Sequence, residues 1–411
     1  MSPHKKSMHT FYSLFLATAL IMVSSPLRGQ DDNLMSSDYE EVSQRKHFSH
    51  VSTFFERLVK KNRVPGAVCL IYKNGKTLLH DAYGMRDIKE GIPMDKNDLF
   101  AIASMTKPIV SVATMQLVEQ GKVSLEDPIS IHLPFLADQV VSVDGKTSDS
   151  TYAVKNPITV RHLLTHTAGL SHGFGQSPLN REYFMKLFMT PHQTIASRVK
   201  AFSPLPLLAE PGEKWIYSSA TDVLALLVET VSDMPLDKYL QEHIFDPLGM
   251  TATGYNISDE HLSDASIVYQ KNDEGNFIKS IWSPPYQNNT VFGGTHGLYS
   301  NSYDYLQFCK MLLNYGELNG TRILQKKTVR NMITDHVGDK FHEEGFGFGL
   351  GFGINTDPES EAGLGAYGWS GIYGTWFTID PVNNMICIMM LQVASDPNDL
   401  KKRIGELIYW E

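Results

Sequence analysis

Apolar residues recur along this chain at helical spacing in some segments and in strand patterns in others. The start of the folded part changes from the first pattern to the second. Val51–Lys61 carries apolar residues at helical spacing and ends in a basic turn, which predicts a helix. Gly66–Tyr72 and Thr77–Tyr83 are predicted to be strands, because Asn74-Gly75 between them is a strong hairpin signal. The fold is therefore expected to begin with a helix and a β-hairpin.

Helical periodicity dominates the middle of the chain. Met105–Gln120 places its apolar residues on one side, with Pro108 in the first turn, where a missing N–H costs little. Further helices are predicted at Val160–Thr165, Thr221–Ser232 and Leu236–Phe245. A polar insertion and an aromatic loop between them are expected to lie at the surface or along a cleft, at Ser142–Asn156 and His172–Phe188.

The last third of the chain returns to strand patterns after two helices. The helices are predicted at Tyr303–Tyr315 and Thr328–Thr334, and the strand patterns at Phe346–Ile354, Tyr373–Ile379 and Met385–Val393, with a turn at Pro381–Asn384. Strands near both chain ends predict an α/β fold of the α+β type. We expect one antiparallel sheet of five or more strands, flanked by helices, from residues of about 50–100 and 285–411. A mostly helical region of about 101–284 is inserted between them.

The first residues have the pattern of a targeting segment. Lys5 and Lys6 precede the uncharged run Phe11–Val23, which is short for a membrane span and suits a secretory signal. We predict a signal peptide at 1–29, a polar linker at 30–49 and a single large folded domain at 50–411. The protein is expected to be exported, periplasmic or extracellular, with no stable membrane span after cleavage. An uncleaved signal anchor is the alternative.

Composition and charge narrow the possible partners. The chain has 411 residues, of which 42% are hydrophobic, enough to bury a large core. Its net charge is −9 and no stretch combines Lys and Arg with aromatic residues, which argues against nucleic acid as a partner. Cys69, Cys309 and Cys387 lie far apart beside apolar neighbours and are expected to be buried free thiols. A bond between Cys69 and Cys387 is the alternative if their strands are adjacent.

The candidate chemistry begins at Ser104-Met105-Thr106-Lys107, where a short apolar run ends and a helix begins. Ser-x-x-Lys alone is a weak signal, since Ser2–Lys5, Ser43–Lys46 and Ser197–Lys200 also match it. At Ser104 the flanks are apolar and a proline follows, which favours Ser104 as a nucleophile and Lys107 as a group that takes its proton. The alternative makes Ser104 a helix cap and Lys107 a surface lysine.

Two further motifs strengthen this hypothesis. Tyr217-Ser218-Ser219 places a phenol and two hydroxyls at a helix start, although a lone tyrosine there is more often a packed aromatic. Trp369-Ser370-Gly371 places small residues just before the predicted strand Tyr373–Ile379, where backbone can approach a ligand as an oxyanion-binding amide must. His162 and His166 are four apart on a predicted helix, a spacing compatible with one metal-binding face, but no third ligand is evident. We therefore predict neither a metal nor a cofactor.

In order and spacing, the three motifs resemble those of the penicillin-recognising serine hydrolases, the β-lactamase-related superfamily. That group includes class C β-lactamases, D-alanyl-D-alanine peptidases and family VIII carboxylesterases. Four other segments resemble the group as well: Leu163–Leu170, Pro211–Glu213, Asp246–Met250 and Gly294–Ser300. The resemblance covers about residues 50–411 and implies a β-lactamase/transpeptidase-like fold.

Two departures from the family pattern bear on the substrate. Ser219 stands where lactamases and peptidases have asparagine, and Trp369 stands where they usually have lysine or histidine. Trp369 cannot pair with a substrate carboxylate, and an unpaired carboxylate would be penalised on desolvation. Both residues resemble the family VIII carboxylesterases, so the expected substrate is a small neutral ester.

The resemblance also implies a set of roles. Ser104, Lys107 and Tyr217 would be catalytic, and the backbone amides of Ser104 and Ile372 would hold the oxyanion. Ser219, Trp369, Ser370 and Gly371 would bind the substrate, and Phe174, Tyr183 and Phe184 would line its pocket. Two alternatives stay open: a β-lactamase or D-alanyl-D-alanine peptidase acting on an amide, and a non-catalytic module that binds cell-wall fragments. The sequence makes no prediction of oligomeric state.

Overall fold

The computed structural model describes residues 48–394 and 398–409. The predicted signal peptide at 1–29 and nearly all of the linker lie outside the described residues, so export and the domain boundary near 50 stay predictions. Among the described helices, none is both long and apolar enough to cross a membrane.

The strands and helices are numbered here in chain order. The strands are β1 Gly66–Lys73, β2 Lys76–Asp87, β3 Ile92–Pro93, β4 Phe100–Ala101, β5 Val140–Ser142, β6 Thr151–Ala153, β7 Tyr269–Lys271, β8 Phe277–Lys279, β9 Tyr299–Ser300, β10 Glu317–Leu318, β11 Thr321–Arg322, β12 Phe346–Phe348, β13 Gly353–Asn355, β14 Tyr367–Ser370, β15 Trp376–Asp380 and β16 Met385–Met390. The helices are α1 Ser49–Lys60, α2 Thr106–Glu119, α3 Val160–Leu164, α4 Pro178–Phe184, α5 Ile195–Phe202, α6 Ala220–Ser232, α7 Leu236–Leu240, α8 Asp246–Leu248, α9 Ser302–Leu313, α10 Lys326–Met332 and α11 Asn398–Tyr409.

An eight-stranded antiparallel sheet joins the two ends of the chain. Its order is β12-β13-β14-β15-β16-β1-β2-β3, and β1 pairs with β16 from Val68 opposite Met390 to Lys73 opposite Met385. The turn between β1 and β2 uses Asn74 and Gly75, both with positive φ, as the hairpin signal predicts. The predicted α+β architecture, with helices inserted between two groups of strands, is confirmed.

Each face of the sheet buries its own apolar core, because successive strand residues point to opposite sides. Val68 and Leu70 of β1 belong to the large core that also contains helices α2 and α6. Cys69 and Ile71 face the other way, into a smaller core covered by α1 and α11. The region around α2 is therefore enclosed between the sheet and the inserted helices. Lys107 lies in the first turn of this helix, and Ser104 lies in the turn just before it.

All three cysteines are buried free thiols, so the predicted state is confirmed and no Cys69–Cys387 bond is present. The two residues lie on adjacent strands, with Ile71 opposite Cys387 and Cys69 opposite Met389. Hydrogen bonding to Cys387, together with burial, raises the pKa of the Cys69 thiol well above its usual value.

Several predicted elements differ from the structure in detail. The aromatic loop at 172–188 contains helix α4, which Ser177 caps by accepting the Asn180 N–H, and a following π turn at Met185–Met189. The polar insertion at 142–156 forms most of a hairpin between β5 and β6. The glycine-rich stretch at 346–354 is two strands rather than one, because the chain reverses between β12 and β13.

Candidate active site

Ser104 lies in a single 3₁₀ turn, Ala103–Met105, that leads directly into α2. Ala103 has a φ of +46°, a left-handed conformation that costs a residue with a Cβ free energy and that recurs at functional sites. The N-cap residues of this turn and of α2 are Ile102 and Met105, and neither makes a capping hydrogen bond with its side chain. Ser104 therefore does not serve as a helix cap. Its side chain is partly exposed at the mouth of the site.

Lys107 is almost fully buried, with 1% of its surface exposed, so the alternative of a surface lysine is wrong. Its Nζ donates to the Ser104 Oγ over 3.0 Å and to the Thr295 carbonyl over 2.9 Å. Among the described residues, no carboxylate lies within ion-pair distance of this amine. The geometry places a nitrogen base directly beside the candidate nucleophile.

Tyr217 completes a row of contacts across the site. The Lys107 Nζ lies 4.6 Å from the centre of the Tyr217 ring. The Trp369 indole N–H donates to the Tyr217 hydroxyl oxygen over 3.3 Å, and the two rings are 5.5 Å apart. The structure thus brings Ser104, Lys107, Tyr217 and Trp369 into one connected group, and gives Trp369 a contact that the sequence did not predict.

The end of β14 meets the backbone that precedes Ser104. A Cβ on Gly371 would lie 2.5 Å from the Ile102 carbonyl oxygen and 2.2 Å from the Thr375 Oγ1, so only glycine fits there. The Thr375 hydroxyl also donates to the Ile102 carbonyl over 3.2 Å. These contacts hold the turn that carries Ile372 against the turn that carries Ser104.

The two amides predicted to hold an oxyanion are available for that purpose. Within residues 48–394 and 398–409, neither the Ser104 N–H nor the Ile372 N–H donates to a protein acceptor. Ile372 itself is half exposed, at 50%. A pair of unengaged amides on adjoining turns can bind the oxygen of a tetrahedral intermediate.

Three histidines surround the buried amine, and all are held neutral. Burial, aided by the charge of Lys107, lowers the pKa of His166 well below its usual value and that of His172 to about 3. Burial and the charge of Arg198 lower the pKa of His296 to about 4. The His166 Nδ1 lies 3.2 Å from the Ser218 Oγ, so this histidine has a structural hydrogen bond.

An aromatic wall extends from Tyr217 to the surface. The His172 ring stacks on Tyr217 at 5.2 Å and on Phe174 at 4.6 Å, and Phe174 is 56% exposed. Phe188 stacks on Phe174 in turn, at 5.4 Å. The predicted lining role of Tyr183 is wrong, since Tyr183 is fully buried in the core and its hydroxyl donates to the Pro206 carbonyl.

Ser219 and Ser370, the remaining predicted site residues, have protein contacts of their own. Ser219 is fully buried, and its hydroxyl donates to the Ser171 carbonyl over 3.0 Å. Ser370 is partly exposed and pairs with Trp376 in the sheet. Substrate contact by either residue stays a prediction.

The sequence did not single out Thr295 or His172. Thr295 acts through its backbone carbonyl, which leaves no side-chain signature, although the surrounding Gly294–Ser300 segment resembled the family. For metals, no group of three or more His, Cys, Asp or Glu side chains in the described part of the chain is arranged to hold an ion. His162 has another use, because its Nδ1 accepts the Thr159 N–H at the start of α3.

Comparison with known proteins gives a consistent result. Residues 51–407 match the family described as Beta-lactamase. An uncharacterized protein of Mycobacterium tuberculosis is 36% identical over 352 residues, covering 80% of this chain and 86% of the relative. The lovastatin esterase of Penicillium rubens is 29% identical over 398 residues, covering 87% of this chain and 98% of the relative. The solved structure of EstCE1, a hydrolase with promiscuous acyltransferase activity, aligns with a TM-score of 0.78 at 25% identity, covering 90% of this chain and 100% of that chain.

Proposed function

Because the chain belongs to the β-lactamase family, we propose that it is a serine hydrolase of neutral carboxylic esters, acting through an acyl-enzyme on Ser104. The observation that carries the proposal is the buried Lys107 amine 3.0 Å from the Ser104 hydroxyl. A nucleophile paired with a base in this way is the arrangement that acyl transfer needs. Esterase is also the activity named for the lovastatin esterase of Penicillium rubens.

The contacts in the site support the following course of acylation. The Ser104 oxygen attacks the ester carbonyl carbon while Lys107 and Tyr217 share the removal of its proton. The carbonyl oxygen gains the negative charge and is bound by the amides of Ser104 and Ile372. Tyr217 hands a proton to the departing alcohol oxygen as the carbon–oxygen bond breaks. Water then attacks the acyl-enzyme, releasing the acid and regenerating Ser104.

The substrate class is supported by the surroundings of Tyr217. Trp369 offers the site one neutral donor and an aromatic surface in place of the cation that would bind a carboxylate. Phe174 and Phe188, which are connected to Tyr217 through the His172 ring, add further apolar surface. This environment favours esters with apolar parts over charged peptides and β-lactams, so lactamase and peptidase activities are the weaker alternatives.

The acyl group of such an enzyme can also pass to an alcohol instead of water. EstCE1 is described as a hydrolase with promiscuous acyltransferase activity, and it aligns over 90% of this chain. Adding 1-butanol to a p-nitrophenyl butyrate assay and measuring butyl butyrate gives the share of transfer.

The test compares three substrates with purified protein: p-nitrophenyl butyrate, a chromogenic cephalosporin and a D-Ala-D-Ala peptide. We expect turnover of the ester that is lost in Ser104→Ala, and a butyryl adduct on Ser104 by mass spectrometry. Cephalosporin hydrolysis at comparable efficiency would contradict the substrate class. If no acylating probe forms an adduct at Ser104, the enzymatic proposal fails and a binding module takes its place.

Export to the periplasm or the extracellular space is part of the same proposal. It is supported by the two lysines and the uncharged run at the start of the sequence. Expression of the full chain in a bacterial host, followed by fractionation and N-terminal sequencing, tests it. Cleavage near residue 29 is expected, and an intact chain in the cytoplasmic fraction would contradict it.

A further inference from the structure

Asp222 is a buried carboxylate that the proposed mechanism leaves without a role. It lies in the first turn of α6, and 1% of its surface is exposed. Its Oδ2 lies 3.4 Å from the Arg198 Nη1, in an ion pair whose members are both mostly buried. Burial alone would raise the pKa of Asp222, but Arg198, His296 and the Thr295 N–H outweigh burial, so the pKa lies below its usual value.

The other oxygen of the Asp222 carboxylate is connected through Thr295 to the Lys107 amine. The Asp222 Oδ1 accepts the Thr295 N–H over 2.8 Å. The carbonyl of the same residue accepts from the Lys107 Nζ over 2.9 Å, and that Nζ lies 3.0 Å from the Ser104 Oγ. The two backbone groups of Thr295 therefore connect a buried carboxylate to the candidate base.

Two glycines allow Thr295 to approach α6 this closely. A Cβ on Gly294 would lie 2.0 Å from the Thr221 carbonyl oxygen. A Cβ on Gly293 would lie 3.1 Å from the Asp222 Oδ1 and 2.8 Å from the Arg198 Nη1. The backbone before Thr295 is therefore packed directly on the helix start, and its position depends on the groups that meet it there.

We propose that Asp222 is a positioning residue for the acylation step. By fixing the Thr295 amide, it aims the Thr295 carbonyl at Lys107 and keeps the amine within reach of the Ser104 hydroxyl. Arg198 holds the carboxylate in the orientation that this requires. The inference rests on the proposed function, in which Ser104 is the acylated residue.

The test removes the carboxylate without leaving a buried cation unpaired. In Arg198→Met/Asp222→Leu, apolar side chains replace the ion pair, an exchange that buried pairs often tolerate without loss of stability. We expect a folded protein whose kcat for p-nitrophenyl butyrate is lower by about 10²-fold, the usual effect of a misplaced catalytic group. KM is expected to change little. The rate at which a fluorophosphonate labels Ser104 should fall by the same factor as kcat.

Asp222→Asn is the conservative variant, because its side-chain oxygen can still accept the Thr295 N–H. Its kcat should stay within about ten-fold of the wild-type value, which limits its effect on the barrier to about 1.4 kcal/mol. The matched control is Arg86→Met/Asp98→Leu. Asp98 is also 1% exposed, pairs with Arg86 and accepts a backbone N–H, that of Asp95, over 2.7 Å. Asp95 does not bind Lys107, so kcat should not change in this control variant.

Wild-type kcat and labelling rate in folded Arg198→Met/Asp222→Leu would overturn the inference, as would an equal loss in the control. If the double variant does not fold, Asp222→Glu replaces it. The longer side chain keeps the ion pair but displaces Thr295, and labelling as fast as in Asp222→Asn would contradict the role. Failure of the proposed function looks different: wild-type protein would then not hydrolyse the ester, or Ser104→Ala would still do so.

Discussion

Replacement of Trp369 tests whether its one hydrogen bond to Tyr217 contributes to catalysis. The bond spans 3.3 Å, and the ring also packs on Phe348 at 5.2 Å. Trp369→Phe removes the indole donor and keeps an aromatic ring. The bond is longer than the usual N–H···O distance of about 3.0 Å, so we assign it the lower half of the usual range, about 0.5–1 kcal/mol. That free energy corresponds to a kcat about two- to five-fold lower.

The assay is a double-mutant cycle on p-nitrophenyl butyrate hydrolysis, with Trp369→Phe, Tyr217→Phe and the double variant. Trp369→Phe alone should lower kcat and leave KM within about two-fold of wild type. In the Tyr217→Phe background the acceptor oxygen is gone, so the second substitution should have no further effect. Trp215→Phe is the matched control: its ring stacks on Tyr217 at 6.1 Å, but its indole nitrogen has no partner among the described residues.

Two results would refute this reasoning. If Trp369→Phe lowers kcat by the same factor in both backgrounds, Trp369 does not act through the Tyr217 hydroxyl. If Trp215→Phe lowers kcat as much as Trp369→Phe does, the packing of aromatic rings, and not the hydrogen bond, accounts for the loss.

Three further predictions follow from the site and its supports. The free energy of unfolding should fall by at least about 1 kcal/mol between pH 6.5 and pH 5, measured by urea denaturation, because unfolded histidines bind protons near pH 6.5. Native His172 and His296, with pKa values of about 3 and 4, do not bind them in that interval, and a flat profile would contradict this. Gly371→Ala should lower kcat by about 10²-fold, since its Cβ would press on the Ile102 carbonyl, whereas Gly405→Ala, where a Cβ meets no neighbour, should not. Ser219→Ala should lower the unfolding free energy by about 1 kcal/mol with KM unchanged, because the lost bond is to Ser171; a raised KM would instead show substrate contact.

The elements that sequence predicted well are those whose signals are local. The turn at Asn74-Gly75 needs positive φ at both residues, and few other dipeptides tolerate that conformation. The adjacent inner strands β1 and β16 are short apolar runs between turn residues, and they lie where expected. Helix α4 shows a local signal that the prediction overlooked. Ser177-Pro178 is a helix start by its capping hydroxyl and its proline, but the many aromatic residues that follow favoured a loop.

The parts of the site that sequence could not provide depend on tertiary contacts of the backbone. Lys107 is held by the carbonyl of Thr295, which lies 188 residues further along the chain. Any residue has a carbonyl, so nothing in the letters marks Thr295 for this task. Tyr183 shows the opposite error. Its aromatic side chain lies in a segment next to the site, yet its backbone position on α4 turns it into the core.

A second Ser-x-x-Lys pair in this chain shows that the spacing alone does not make a candidate active site. Ser197–Lys200 has the same Ser-x-x-Lys spacing as Ser104–Lys107, but on α5 its serine hydroxyl accepts the Thr194 N–H over 3.2 Å as part of a capping box. The same hydroxyl donates to the Thr194 carbonyl over 2.7 Å. Lys200 is exposed, with its Nζ 5.6 Å from the centre of the Phe135 ring. In both places the helix sets the two side chains one turn apart. At Ser104 the same spacing is joined by the strained turn of Ala103, the Thr295 carbonyl and the Gly371 contact. These add the burial and the acceptors that make Ser104 and Lys107 a candidate catalytic pair.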